Sequence, residues 1–348
     1  MDAPALTQPL LSGMPVISAP PAVQWIISRK DDLIWFIGSA LIGYLALGLM
    51  AAGFPIQLIY LVWVLGVDGP HVIGTVTRTY FDRNERIKLG WWLWVIIPFI
   101  AVGPAMVALG QGSLFFLFAV CWQHYHIAKQ HIGLIMLWKA KNKERDAWER
   151  EMDKRFLLAS TTLPLALFVV QTRLPAWPVL QGLEAAAVVA YLGFASYYVY
   201  YQIRKFQAKQ PLNIPKLLLL GVLTPLQWLA FYSAAKLGAN GILLAGISLG
   251  LFHSLQYHRL LWFHNRNRYQ VPDADRKFGA AAYFAKNWVS YIVAAIVLHF
   301  VLTQLPQLLF PGALIGAAIW GFAFTHYVLD ARIWHVRGDR ELAAALRM

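Results

Sequence analysis

Cysteine is almost absent from the 348-residue sequence, in which Cys121 is the only one. A single cysteine excludes a disulfide framework within the chain and a cysteine-rich zinc site. Charged residues are also scarce, at 14%, whereas 59% of the residues are hydrophobic and the mean hydropathy is +0.52. Apolar runs of about 20 residues, the length that crosses a bilayer, recur from residue 31 to the C-terminus. This composition predicts one all-α, polytopic membrane domain.

Several motifs of soluble enzymes are missing. The chain has no glycine-rich phosphate loop, no G-x-S-x-G nucleophile elbow and no H-E-x-x-H signature, so nucleotide and serine hydrolysis have little support. Residues 1–24 lack the basic segment that begins a cleaved signal peptide. We interpret 1–24 as a disordered cytoplasmic tail, 25–336 as a single transmembrane domain and 337–348 as a cytoplasmic tail.

Segments poor in charge predict ten transmembrane helices. We expect them near 32–52, 56–79, 91–110, 114–138, 156–172, 179–202, 216–236, 241–264, 286–304 and 312–334. The net charge of +13 comes from basic residues in alternate connections, and only Arg173 and Lys236 fall on the opposite side. The positive-inside rule therefore places both termini in the cytoplasm of a multi-pass inner-membrane protein, and it explains the charge without nucleic acid. The charged segment 139–155 is expected to lie solvated along the inner surface.

Histidine is the residue type most suggestive of a functional site, and every histidine except His299 lies on a helix that runs inward in this topology. Four of these helices place a histidine about 9–12 Å from the basic residue at their cytoplasmic end, counting 1.5 Å per residue. This agreement in depth predicts one histidine layer in the inner half of the membrane. Asp68 lies three residues before His71, and Asp330 four residues after His326, so each pair shares a helical face.

Imidazoles accompanied by carboxylates bind zinc, copper and iron. The number of candidate ligands exceeds the four of a closed zinc site, which favours a site with two metal ions. Non-haem iron with open coordination positions activates oxygen. Dioxygen and apolar substrates both dissolve in the bilayer, so a centre at this depth receives both directly.

In its polytopic architecture and histidine placement the chain resembles the bacterial β-carotene 15,15′-dioxygenase-like family and, more distantly, the membrane fatty-acid desaturases and hydroxylases. The segments that carry the resemblance are HYHIAKQH (124–131) and HSLQYH (253–258), while the desaturase HxxxH and HxxHH boxes are absent. The resemblance implies a di-iron oxygenase that acts on a lipid or isoprenoid, with dioxygen and an electron donor as further partners. The expected ligands are His71, His124, His131, His253, His258 and His326, with Asp68 and Asp330 as bridging or supporting carboxylates and His126 in reserve.

Two other functions are consistent with the same residues. A proton-coupled or metal-ion transporter also has interrupted helices with buried histidines and carboxylates that titrate in turn. A haem-binding electron-transfer protein needs only opposed histidines on neighbouring helices, although it leaves the carboxylates unexplained.

Overall fold

The structure, a computed structural model, describes residues 23–348, which are 83% helical and contain no strand. Ten long helices follow one another along the chain. They are α1 Arg29–Ala51, α2 Ile56–Thr79, α3 Arg83–Ala108, α4 Gly112–Lys141, α5 Ala147–Arg173, α6 Pro178–Gln207, α7 Ile214–Lys236, α8 Gly241–Tyr269, α9 Trp288–Leu309 and α10 Ala313–Ile333. Short helices Ala274–Phe278, Ala280–Phe284 and Arg340–Ala345 lie between and after them.

Eight of the ten long helices among the described residues are apolar enough to cross a membrane. The other two, α4 and α8, have the length, but each carries three histidines. The all-helical prediction is thus confirmed, and the number of crossings stays a prediction. Helix boundaries differ from those expected: α3 begins at Arg83 and α5 at Ala147, because Asp82 and Asp146 cap their first turns upstream of the apolar runs.

Wide π-turns interrupt three helices, at Asp32–Ile37 in α1, Val64–Asp68 in α2 and Phe300–Gln304 in α9. In α2 the wide turn is followed by Pro70, which has no N–H for a regular helical hydrogen bond. In the same segment, the carbonyl of Val67 lies 2.9 Å from Nε2 of His258 on α8. Such turns often mark functional segments, and this one directly precedes His71.

Helix α8 lies at the centre of the bundle, where it packs against α1, α2, α4 and α7. Glycines bring other helix pairs close together. A Cβ on Gly321 would lie 2.6 Å from the backbone nitrogen of Ile100, and one on Gly103 would lie 2.5 Å from the Ala317 carbonyl oxygen. These contacts join α3 to α10 by the small-residue packing that is common between membrane helices.

A buried ion-pair network joins the C-terminal ends of α4 and α6 to the N-terminal ends of α5 and α7. Lys216 is fully buried and contacts Glu149 and Asp153, each at 3.0 Å, while Lys139 contacts Asp153 at 2.8 Å and Lys205 contacts Glu149 at 2.8 Å. The expectation that 139–155 lies solvated was therefore wrong for its buried acids, because partners on three other helices neutralise them.

Of the two predicted tails, the structure describes only the C-terminal one in full. Most of 1–24 lies outside the described residues. The C-terminal segment forms the short helix Arg340–Ala345, and Leu342 within it and Leu346 directly after it are buried in the main hydrophobic cluster. Asn267 on α8 also donates a hydrogen bond of 2.7 Å to the Ala345 carbonyl.

Candidate metal centre

Four histidines from four helices meet inside the bundle: His71 on α2, His126 on α4, His253 on α8 and His326 on α10. One ring nitrogen from each lies within 4.8 Å of the others. All four side chains are buried, with exposed fractions of 1–8%. The ring centroids of His71 and His326 are 4.4 Å apart, and those of His126 and His253 are 5.0 Å apart.

The Nε2 atoms of these four histidines are buried and have no hydrogen-bond partner among the described residues. An unpartnered polar atom in a protein interior costs about 1–3 kcal/mol, so four together need an explanation. Two imidazole nitrogens bound to one metal ion at about 2.1 Å each lie at most about 4.2 Å apart. The ligand atoms of the four histidines all lie within 4.8 Å of one another, which is close to this limit. The cluster can therefore hold a metal ion.

A hydroxyl group connects His71 to a carboxylate. Nδ1 of His71 lies 3.3 Å from Oγ of Ser254, which donates a hydrogen bond of 3.1 Å to Asp68. The same carboxylate is 3.9 Å from Nδ1 of His71. With Nδ1–H donating to the serine, Nε2 keeps its lone pair for a metal ion.

His326 is held in the same way. Its Nδ1 lies 2.7 Å from Oγ1 of Thr75, which donates a hydrogen bond of 2.6 Å to Asp330. The hydroxyl of Tyr257 lies 2.6 Å from Thr75 and 3.1 Å from Asp330. Both carboxylates predicted from the sequence thus stand behind a histidine, where they can orient it and increase its basicity as a ligand.

A side-chain amide fixes the distance between α4 and α8. Nε2 of Gln130 donates hydrogen bonds to the His253 carbonyl at 2.9 Å and to Oε1 of Gln256 at 3.1 Å. Since Gln130 follows His126 by one helical turn, this contact directs His126 toward His253. The ring of Tyr327 stacks on His126 at 4.3 Å and covers that side of the cluster.

Three other predicted ligands lie apart from the cluster. His124 faces α5, where Nε2 is 2.9 Å from the Thr161 carbonyl. Nε2 of His258 lies 2.9 Å from the Val67 carbonyl, and its Nδ1 lies 3.4 Å from the Tyr291 hydroxyl. His131 is fully buried beside Phe252 at a ring distance of 5.1 Å. Their ligand roles stay predictions.

Sequence reasoning did not identify the hydroxyl groups that link histidine to carboxylate. Thr75 follows His71 by four residues, and Ser254 comes directly after His253. Spacing alone gives a threonine on the ligand face of α2, but it does not show that the hydroxyl reaches a histidine on α10. His126, expected only in reserve, is the histidine of α4 that joins the cluster.

Comparison of the chain with models of protein families, with curated proteins and with solved structures finds no match. The resemblance in architecture therefore has no match to support it, and the site itself is the basis for a function.

Proposed function

We propose that the protein is a membrane-embedded, metal-dependent oxygenase that acts on a lipid or isoprenoid-like apolar substrate. The observation that carries the proposal is the meeting of four buried histidines whose Nε2 atoms have no protein partner. This geometry favours one ion, held by His71, His126, His253 and His326, over the two ions expected from the count of histidines. The remaining candidate ligands lie outside the group of four.

Iron is the metal we propose, with zinc and copper as the alternatives in the metal analysis. Iron held by imidazoles with open coordination positions supplies oxygen activation. The chain's own residues orient the ligands and keep water away. Asp68 and Asp330 act through Ser254 and Thr75 on two of the histidines, and rings such as Tyr327 enclose the cluster. An apolar enclosure within the bilayer suits an apolar substrate and dioxygen, which both partition there.

We further propose that all ten long helices cross the inner membrane with both termini in the cytoplasm. The alternation of basic connections supports this arrangement. The polar faces of α4 and α8 are turned into the bundle, where their histidines are buried, so those helices need not expose them to lipid. An electron donor for the reaction would then approach from the cytoplasm.

One observation favours a metal-ion carrier as the second candidate. Both α2 and α9 are interrupted by a π-turn with proline close behind it, as in the broken helices of transporters. A carrier exchanges its metal ion, whereas an oxygenase retains it. Haem is not proposed, because rings as close as 4.4 Å between centroids leave no space for a macrocycle among them.

The test is metal analysis by plasma mass spectrometry, with an absorption spectrum, on detergent-purified protein. We expect iron at about one ion per chain. His126→Ala and His326→Ala should each lose the metal, and His124→Ala is the matched control because its imidazole already bonds to a carbonyl. The metal-loaded protein is then screened for oxygen consumption with isoprenoid and acyl lipids.

Folded protein without bound metal, or metal lost equally in His124→Ala and His126→Ala, would refute the four-histidine site. Metal that exchanges on dialysis and is transported into proteoliposomes would establish the carrier instead.

A further inference from the structure

Polar residues on α2, α8 and α10 form three successive layers toward the cytoplasmic end of the bundle. The layers are His71, His253 and His326; then Thr75, Tyr257 and Asp330; then Arg78, His264 and Trp334. Steps of three, four or seven residues separate the members on each helix, so each set stays on one helical face. The first layer is the candidate metal centre, and hydrogen bonds within the second layer satisfy its side chains.

The third layer contains a buried guanidinium group with few partners. Arg78 is 2% exposed, and its Nη2 donates one hydrogen bond, of 2.6 Å, to the Ile333 carbonyl. The guanidinium carbon lies 4.1 Å from the centre of the Trp334 ring. Nε and Nη1 are buried without a hydrogen-bond partner among residues 23–348. A guanidinium carries five N–H donors, so most of its capacity is unused.

Two neighbouring rings also present unused polar atoms. Nε1 of Trp334 and Nε2 of His264 are buried without partners within the described chain, and the two rings are 5.7 Å apart. His264 itself is fully buried, and its Nδ1 lies 3.1 Å from Oδ1 of Asn265. Because Nδ1–H of His264 donates to that oxygen, Nε2 of His264 is an acceptor, and the unused N–H donors are those of Arg78 and Trp334.

The guanidinium of Arg78 has no carboxylate of the described residues in direct contact, and Asp330 and Asp339 interact with it only through space. No described carboxylate lies within 4.0 Å of it, because Asp82 pairs with Arg268 at 3.1 Å and Asp330 bonds to Thr75 and Tyr257. A buried charge without a counterion is strongly unfavourable. The proposed function, on which this step rests, adds a divalent metal ion in the first layer. The net charge of the region would then remain positive even after the negative charges of Asp68 and Asp330 are counted.

We propose that Arg78 and Trp334 bind a small monovalent anion, either chloride or a short carboxylate such as formate. The anion accepts hydrogen bonds from the free N–H groups of Arg78 and Trp334 and neutralises the guanidinium. It lies about 10 Å inward of the metal centre along α2, because Arg78 follows His71 by seven residues.

The proposal is tested by thermal unfolding of purified protein in gluconate buffer, titrated with chloride or formate at constant ionic strength. A ligand that binds the folded state raises Tm in a saturable manner. We expect this rise for the wild type and its loss in Arg78→Gln. Arg332→Gln should keep the rise, since Arg332 stacks on Trp92 in the same way but is partly exposed. Trp334→Phe keeps the ring and removes one N–H, so we expect binding about tenfold weaker.

Identical Tm values in gluconate, chloride and formate would overturn the proposal whether or not Arg78→Gln folds, because they are measured on the wild type. An equal rise in Arg78→Gln and Arg332→Gln would overturn it too, since the effect would then be nonspecific. Metal content is measured on the same samples. Bound metal without an anion response refutes only the anion site, and an anion response without metal refutes only the proposed function.

Discussion

Replacement of Thr75 by valine removes the hydroxyl that joins His326 to Asp330 and changes little else. The side chain is 1% exposed, and valine has nearly the same shape. The hydroxyl lies 2.7 Å from Nδ1 of His326, donates to Asp330 at 2.6 Å and meets Tyr257 at 2.6 Å. Its loss leaves Nδ1 of His326 with only the more distant Asp330 carboxylate, at 3.5 Å, so the ring is held less firmly in the tautomer and orientation that a metal ion requires.

Groups of this kind typically contribute 10- to 100-fold to metal affinity, or about 1.4–2.7 kcal/mol. We expect Thr75→Val to weaken binding within that range, measured by competition with a chromophoric chelator. The loss of a buried hydrogen bond should also lower the stability of the metal-free protein by about 1–3 kcal/mol. Thr79→Val is the matched control, because the Thr79 hydroxyl is equally buried and donates only to the Thr75 carbonyl, at 2.7 Å.

If Thr75→Val binds metal as tightly as the wild type, then the hydroxyl does not position His326 and Asp330 does not act on this ligand through it. Equal weakening in Thr75→Val and Thr79→Val would mean that both act through general loosening of α2.

Two further predictions concern the scaffold. The buried network also includes Glu144, which pairs with Lys139 at 3.0 Å, so Lys216→Met leaves three acids with only Lys139 and Lys205. The loss of Lys216 should lower stability by about 3–5 kcal/mol in detergent unfolding. Lys154→Met, at the partly exposed Lys154–Glu151 pair, should change it by less than about 1 kcal/mol. Gly321→Ala places a methyl group against the Ile100 backbone and should lower the stability of the fold by about 1–3 kcal/mol. Gly133→Ala is the control, because nothing lies within 4 Å of its new methyl group, and it should be neutral or slightly stabilising. Equal effects of the two substitutions would contradict the close approach of α3 and α10.

The helical architecture could be predicted from the sequence because membrane helices need long apolar runs, and those runs are visible without tertiary information. The pairing of Asp68 with His71 and of Asp330 with His326 was also accessible, since three- and four-residue steps place side chains on one face. Both pairs lie together in the structure, at 3.9 and 3.5 Å.

The buried acids of α5 could not be predicted in the same way. Glu149 and Asp153 lie in a segment whose local composition is that of a solvated helix. Their burial depends on Lys139, Lys205 and Lys216, which come from three other helices and meet them only when the bundle is assembled. Hydropathy averaged along one segment contains no information on such partners.

The choice of ligand on α4 shows the same limit at the site itself. His124 and His131 are seven residues apart and share a face, whereas His126 is rotated about 200° from His124 around the helix axis. Selecting the aligned pair therefore selected residues outside the cluster: His124 faces Thr161 and Phe231, and His131 contacts Phe252. The useful signal was Gln130, one turn beyond His126, because a glutamine within a buried helix needs a partner and finds it on α8. Gln130 therefore identifies the face of α4 that carries His126 and meets α8, although the spacing of His124 and His131 alone favours the other side.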